Sequence, residues 1–185
     1  KLAVGRLPTN DPNKIRAYVN KIQKFEDGES APTTNMRSIS FFADQDLGDY
    51  ERFNEHSRNM MSAATGFNNV LFDRLELGSK ALTKEKIKSE FNAGPLIISL
   101  MGHGAFDRFG DDIFNVNDAK LLSNSILPIV ANWNCESAYF YDANNSYKSL
   151  AEELIFNPNG GAIVYMGSTT QTTPPAQAKL ALNFF

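Results

Sequence analysis

A histidine and a cysteine each follow an apolar segment of the chain, and together these side chains can carry out nucleophilic chemistry. His103 stands between two glycines in MGHG (101–104), directly after the apolar run PLIISL (95–100). Cys135 ends a second such segment, IVANWNC (129–135). A thiol attacks a carbonyl carbon, and an imidazole can take the thiol proton and later protonate the leaving group. The pair therefore predicts covalent catalysis at a carbonyl such as that of a peptide bond.

Cys135 is the only cysteine, so it cannot form a disulfide within the chain. Three uses remain open for it: an inert buried thiol, a link to another chain, or a reactive nucleophile. A lone cysteine is often only a small buried hydrophobe, and a histidine among glycines is often structural. The occurrence of both residues at the ends of successive predicted strands favours the nucleophile.

Other site classes lack their patterns. The glycines around His103 have no third glycine at dinucleotide-binding spacing, and no phosphate-binding loop of the Walker type is present. Two histidines and one cysteine at these spacings do not make a metal site. The net charge is −3 with acids and bases interspersed, so no basic patch predicts nucleic acid as a partner.

The elements that must position the two residues alternate along the chain. Apolar runs and helical spacing, bounded by caps such as Asn10 or Asp11, Thr83 and Gly94, separate strands from helices. The predicted strands are 2–8, 37–44, 69–77, 95–101, 126–133 and 162–168. The predicted helices are 10–27, 47–66, 83–94, 115–124, 149–161 and the segment from 174 onwards.

This alternation predicts an α/β fold, a three-layer sandwich with a mostly parallel sheet and helices on both faces. The runs PLIISL, ILPIVA and AIVYMG are apolar on consecutive residues, which is typical of strands buried on both faces. Functional residues of such sheets collect at the carboxyl ends of the strands. His103 and Cys135 are therefore expected on adjacent loops at one edge, where Gly102 and Gly104 permit a sharp turn.

The length of 185 residues and the 42% apolar content suit one domain, or a large piece of one, with a sizeable core. The opening KLAVGRLP reads like the middle of a domain, and the last helical pattern stops unfinished. We therefore expect a domain over 1–185 that is truncated at both ends, with other domains in a longer parent chain. No apolar run approaches the roughly 20 residues of a membrane span, and no signal peptide is visible.

Several segments resemble the gingipain family of cysteine peptidases, whose fold is caspase-like. GHG closes one strand, PIVANWNC closes the next, and SLAEELIFNPNGGAIVYMGST follows; the opening VGRLPTNDPNKIRAYVNKIQKFE is also similar. The resemblance implies that His103 is the general acid and base and that Cys135 is the nucleophile. It also implies an oxyanion hole from the backbone N–H groups of Gly104 and Cys135, which would stabilise the tetrahedral intermediate.

Some members of that family orient the histidine with an upstream acid. The best match is Asp44 in FFADQD, at the end of its own strand, and Asp46 is the alternative. An ordinary polar loop would explain both acids equally well.

The resemblance also implies a pocket for the substrate side chain before the cleaved bond, between Cys135 and the segment 167–172. Its expected wall consists of Gly167, Ser168 and Thr169. Because the best-known members cleave after Arg or Lys, a basic preference is expected, which needs a carboxylate. Glu55 is the candidate by spacing, with Asp111 and Asp112 as alternatives, although Glu55 lies on a charged helix face that is usually solvated.

The expected function is that of a secreted or cell-surface cysteine endopeptidase acting on proteins or peptides. The alternatives are a sortase-like transpeptidase in protein secretion and a non-catalytic surface or binding module that keeps the fold. No cofactor is required, but DANNSY (142–147) offers oxygen ligands for a structural calcium ion in Asp142, Asn144 and Asn145. A plain polar turn would also explain this segment.

Overall fold

Five parallel strands form one sheet in the order β2-β1-β3-β7-β8, in a computed structural model that describes residues 4–31, 35–141 and 148–185. A smaller antiparallel sheet contains β4, β5 and β6. The strands are β1 (Ser38–Ala43), β2 (Asn68–Asp73), β3 (Ile97–Met101), β4 (Gly104–Ala105), β5 (Arg108–Phe109), β6 (Phe114–Asn115), β7 (Ile129–Trp133) and β8 (Val164–Gly167).

Helices cover both faces of the large sheet. They are α1 (Pro12–Glu26), α2 (Phe53–Ala63), α3 (Arg74–Leu77), α4 (Lys80–Ala93), α5 (Val116–Lys120), α6 (Leu150–Phe156) and α7 (Pro174–Phe184). The apolar residues of α4, α5 and α6 join one core cluster, and those of α2 and α7 join the other. The predicted α/β sandwich is thereby confirmed. Among the described residues, no helix has the length and apolar character to cross a bilayer.

β3 lies at the centre of both clusters because all five of its residues are buried. Ile98 and Leu100 face the α4 side, while Ile97 and Met101 face the α2 side. Full burial of one such side chain stabilises the fold by about 1.5–3 kcal/mol. The apolar run that predicted a strand buried on both faces thus fixes the strand that leads to His103.

Two predicted boundaries shift because of capping side chains. α4 begins at Lys80 rather than Thr83, since Ser79 accepts a hydrogen bond from the backbone N–H of Leu82. The strand predicted over 69–77 ends at Asp73, whose carboxylate accepts from the N–H of Leu75 at 2.8 Å and begins α3. Each cap satisfies an N–H that the first helical turn leaves unpaired.

The strand predicted over 2–8 is wrong for its described part, because residues 4–8 are neither helix nor strand. Val4 is 92% exposed, and β8, at the edge of the large sheet, pairs only with β7. Residues 5–8 line a cavity beside β8, but the described part of the segment does not pair with this strand. An apolar run that stays in solvent buries too little surface to stabilise a strand.

The loop expected around His103 continues into the small sheet β4-β5-β6. Its apolar residues pack into the α4-side cluster, and Phe109, Ile113 and Phe114 are fully buried. Gly110, at a φ of 66°, makes the turn after β5. The segment after β3 is therefore anchored rather than free.

Candidate active site

His103 and Cys135 lie at the same edge of the sheet, at equivalent positions past two neighbouring strands. Met101 pairs with Trp133 at the ends of β3 and β7, and Gly102 N donates to Trp133 O at 3.4 Å. Each candidate residue follows two positions later. Since neighbouring strands are about 4.8 Å apart, the topology places the imidazole-bearing and thiol-bearing loops side by side.

The imidazole of His103 is held on two sides. Phe53, at the start of α2, meets it edge-to-face with ring centroids 5.0 Å apart. Nε2 is buried and lies 3.0 Å from Glu51 Oε1, an ion-pair distance, although the two groups are not aligned for a hydrogen bond. The side chain as a whole is 37% exposed. Because Nε2 faces Glu51, Nδ1 is the nitrogen left to exchange a proton with a neighbour.

Glu51 is a site carboxylate that does not follow from the sequence pattern. It is only 3% exposed, and its Oε2 accepts from the backbone N–H of Leu47 and, at 3.2 Å, of Gly48. Burial acts to raise the pKa of Glu51, but these two N–H groups and the charge of His103 together hold the pKa below its ordinary value. The side chain thus remains a carboxylate beside the imidazole.

The sequence pattern does not reveal Glu51, because it predicts a helix from residue 47 onwards. The helix begins only at Phe53, so Glu51 lies in the loop that follows β1 at its carboxyl end. Gly48 was the available signal, since a glycine near a predicted helix start is typical of a loop. An acid in a loop at this edge would then have qualified as a partner for His103.

Asp44 does not contact the imidazole, which differs from its expected role. Its carboxylate is fully buried, and Oδ1 pairs with Arg74 Nη1 at 2.6 Å. Oδ2 accepts from the backbone N–H of His103 at 3.3 Å, so Asp44 holds the loop rather than the ring. The alternative, Asp46, accepts from the backbone N–H of Phe53 at 2.7 Å. Each acid is thus engaged by another donor.

The two glycines around His103 leave room for side chains of other loops. A Cβ at Gly102 would overlap the side chain of Asp44, and a Cβ at Gly104 would overlap the amide of Asn134. Asn134 is 2% exposed, and its Nδ2 donates to Arg108 O at 3.4 Å. The glycines thus permit close packing between the His103 loop and its neighbours.

Cys135 is half-buried, and its Sγ lies 3.4 Å from Thr172 O, to which it donates. Two further hydrogen bonds tie its loop to the segment after β8: Glu136 N to Thr170 O at 3.1 Å, and Ala138 N to Ser168 O at 2.9 Å. The Cys135 thiol therefore packs against the segment after β8, while part of the Cys135 surface remains accessible to solvent.

Left-handed backbone conformations directly follow two of the site residues. Arg52, after Glu51, has a φ of 50°, and Glu136, after Cys135, has a φ of 58°. For a residue with a Cβ this costs of the order of 1 kcal/mol, and such strain clusters at functional sites. The surrounding contacts keep both turns in place, so this observation supports a functional role for the edge.

A cavity of about 250 Å³ opens between the ends of β7 and β8 and helix α7. Its lining includes Trp133, Gly167, Ser168, Thr172 and Gln177. Gly167 and Ser168 line this cavity, whereas Thr169 lines a different cavity along β8, to which Gly167 also contributes.

The acids expected at the base of the pocket lie elsewhere. Glu55 is 49% exposed and pairs with Arg52 on the first turn of α2. Asp111 pairs with Lys80, and Asp112 accepts from Asn115 Nδ2 at 2.7 Å. None of these three carboxylates lines the cavity.

The calcium ligands predicted at Asp142, Asn144 and Asn145 lie outside the described residues, so that ion stays a prediction. In the parts of the chain that the structure describes, no group of three or more His, Cys, Asp or Glu side chains is arranged to hold a metal ion.

The sequence model of peptidase family C25 matches residues 1–185, whereas no curated protein matches the chain. Two solved structures are similar in fold: the Arg-specific cysteine proteinase gingipain R, at 15% identity and a TM-score of 0.73, and the complex of the Porphyromonas gingivalis RgpB pro- and mature domains, at 16% and 0.74. The first match covers 98% of this chain and 47% of the gingipain R chain. The second match covers 94% of this chain and 42% of the matched RgpB chain. The chain thus spans less than half of either structure.

Proposed function

Because the chain belongs to peptidase family C25, a family of cysteine peptidases, we propose that it cleaves peptide bonds with Cys135 as nucleophile and His103 as general acid and base. The observation that carries this proposal is the equivalent position of the two residues past the paired ends of β3 and β7. Proteins or peptides are the proposed substrates.

In the proposed first step, His103 takes the thiol proton and the Cys135 sulfur attacks the scissile carbonyl carbon. The tetrahedral intermediate collapses as His103 protonates the departing amine, which leaves a thioester on Cys135. A water molecule then gives a proton to His103 and attacks the thioester, and the thiol leaves with its proton restored. Glu51 stabilises the imidazolium that forms twice in this sequence.

The oxyanion of the intermediate needs N–H donors at the point where negative charge develops. We assign this role to the backbone N–H groups of Gly104 and Cys135, since Gly104 directly follows His103 and Cys135 lies two residues past β7. The close approach of the Gly104 loop to Asn134 brings the two loops together. Removing such a donor typically costs about 100-fold or more in kcat.

Covalent labelling tests the proposal. Iodoacetamide and a peptidyl ketone should both modify Cys135, as mapped by mass spectrometry, and Cys135→Ala should abolish peptide cleavage while leaving the fold intact. His103→Ala should slow cleavage by at least about 100-fold. His56→Ala, which changes the only other histidine, is the matched control and should stay active. A Cys135 that no electrophile modifies in the folded protein would overturn the proposal.

The peptide-cleavage assay also identifies the acceptor of the acyl group. If water is the acceptor, the cleaved peptide yields two fragments. If an added amine reacts in preference to water and is joined to the acyl fragment, the protein is a transpeptidase. We also propose that the protein acts outside the cell or at its surface, a location that the likeness to gingipains supports. Fractionation of the source cells, with the protein detected in the medium or surface fraction, checks that location.

A further inference from the structure

We propose that the cavity between β7, β8 and α7 receives the substrate side chain that precedes the cleaved bond, and that it selects an uncharged side chain over Arg or Lys. This inference rests on the proposed function, because it concerns the substrate of the same site.

The cavity is connected to the candidate nucleophile through a shared residue. Thr172 lines the cavity, and its carbonyl oxygen lies 3.4 Å from Cys135 Sγ. Trp133, two residues before Cys135 on the same chain segment, forms another part of the wall. A substrate whose carbonyl lies at the sulfur therefore has this cavity within reach of the adjacent side chain.

The described lining of the cavity is apolar or neutral. Trp133, Met166 and Leu180 supply apolar surface, and Ser168, Thr172 and Gln177 supply uncharged polar groups. No Asp or Glu stands among the lining residues that the structure describes. A guanidinium or ammonium group desolvated here would lack a counter-ion, which is strongly unfavourable. A neutral side chain carries no such penalty.

The acids of this edge are already engaged by other groups. Glu51 faces His103, Asp44 pairs with Arg74, and Glu55 pairs with Arg52. Glu136, directly after Cys135, takes part in no ion pair within the described residues, but it does not line the cavity. It is the carboxylate that a basic substrate would have to recruit, and the test includes it.

The volume also suits one side chain of modest size. The cavity holds about 250 Å³, which is below the roughly 300–1,000 Å³ of sites for whole small molecules. Leucine, methionine and glutamine are therefore the expected residues, since their apolar stems match Trp133 and Met166 and their ends carry no charge.

The experiment compares peptidyl acyloxymethyl ketones that differ only in the residue next to the ketone: Ala, Leu, Gln, Lys or Arg. We expect the Leu and Gln probes to modify Cys135 about 100-fold faster than the Lys and Arg probes. Leu180→Asp adds a carboxylate at the cavity wall on a side chain that is 60% exposed, so the fold tolerates it. This variant should gain at least about tenfold in its rate with Arg.

Leu182→Asp is the matched control, since Leu182 is 43% exposed on the same helix and does not line the cavity. It should keep the wild-type preference. Faster labelling of the wild type by the Arg or Lys probes would overturn the inference but not the proposed peptidase activity. If Glu136→Gln then lost this basic preference, Glu136 would be the carboxylate responsible for it. Failure of every probe, together with iodoacetamide, would overturn the proposed function itself.

Discussion

At the scale of single residues, the main feature of the candidate site is the buried carboxylate of Glu51 beside the His103 imidazole. Glu51 lies in a buried position that would favour protonation, yet two backbone N–H groups and His103 keep its pKa low. A fixed negative charge beside Nε2 favours the imidazolium that forms when His103 takes a proton. The carboxylate is therefore placed to support proton transfer without touching the thiol.

Glu51→Gln should lower kcat/KM by about 100-fold, because a neutral amide cannot stabilise the imidazolium. The amide oxygen can still accept from Leu47 and Gly48, so the loop should keep its conformation. Peptide hydrolysis measured from pH 5 to 9 checks this, and the pH profile of the variant should shift along with its rate. An unchanged rate and profile would show that Glu51 is only structural.

The Glu51 side chain should also make the free energy of unfolding depend on pH in the acid range. Since the folded pKa of Glu51 lies below its ordinary value, its contribution is complete above the unfolded value of about 4.3 and is lost as the pH falls through the folded pKa. The gap in unfolding free energy between wild type and Glu51→Gln should therefore narrow below about pH 4. Urea titrations across the acid range measure it, with Glu85→Gln on the exposed face of α4 as control. A gap that stays constant would contradict the lowered pKa.

Gly104→Ala tests the packing between the two loops. The added Cβ would overlap the amide of Asn134, so we expect a loss of about 1–3 kcal/mol in unfolding free energy and lower activity. Combining it with Asn134→Ala should restore part of the stability, as a double-mutant cycle would show. Gly5→Ala, where a Cβ meets nothing within 4 Å, is the control. Additive effects of the two loop substitutions would argue against the overlap.

At the scale of elements, asparagine side chains join segments that are far apart in sequence. Asn157, directly after α6, donates through Nδ2 to the carbonyl oxygens of Ala119 and Leu122, both at 2.9 Å. Ala119 lies in the last turn of α5 and Leu122 lies just after it, and both residues are buried. One side chain thus fixes α6 to the helix that follows the small sheet.

Asn157→Ala should therefore destabilise the fold by about 1–3 kcal/mol, because it removes two buried hydrogen bonds, one of them to the carbonyl of Leu122. Thermal unfolding followed by circular dichroism gives the measurement. Asn117→Ala, on the exposed side of α5, should change the stability by less than about 0.5 kcal/mol. Equal effects at both positions would mean that the buried hydrogen bonds contribute little.

The large elements were predictable from sequence, and their local contacts were not. Continuous apolar runs indicated β3 and β7, and hence a common edge for His103 and Cys135, because burial on both faces leaves a clear pattern. The two-residue strands β4, β5 and β6 are too short to show any period. The pairing of Asp44 with Arg74 depends on tertiary contacts 30 positions apart, which spacing along one chain does not reveal.

At the scale of the whole molecule, the two core clusters share the strands of a single sheet. Phe91 of α4 belongs to one cluster and Trp133 of β7 to the other, and both are at most 2% exposed. Because β3 contributes to both clusters, loss of packing on one face should weaken the other. We expect a single cooperative unfolding transition across the sheet.

Phe91→Ala should lower the stability by about 3–5 kcal/mol through the cavity that it leaves. Trp133 is the only tryptophan and lies on the opposite face, so its fluorescence should report the same shifted midpoint as far-UV circular dichroism. Phe67→Ala, at a side chain that is 38% exposed, is the control. A fluorescence midpoint that does not move would show that the two faces unfold independently.

The two glycines beside His103 also limit how this sequence can diverge. The space that each would give to its own side chain is occupied by a residue of another loop, Asp44 at Gly102 and Asn134 at Gly104. A larger residue can therefore become fixed at 104 only when position 134 has already become smaller, and the same order applies to 102 and 44. In a set of descendants of this chain, these positions should change as pairs, and the intermediates should be rare.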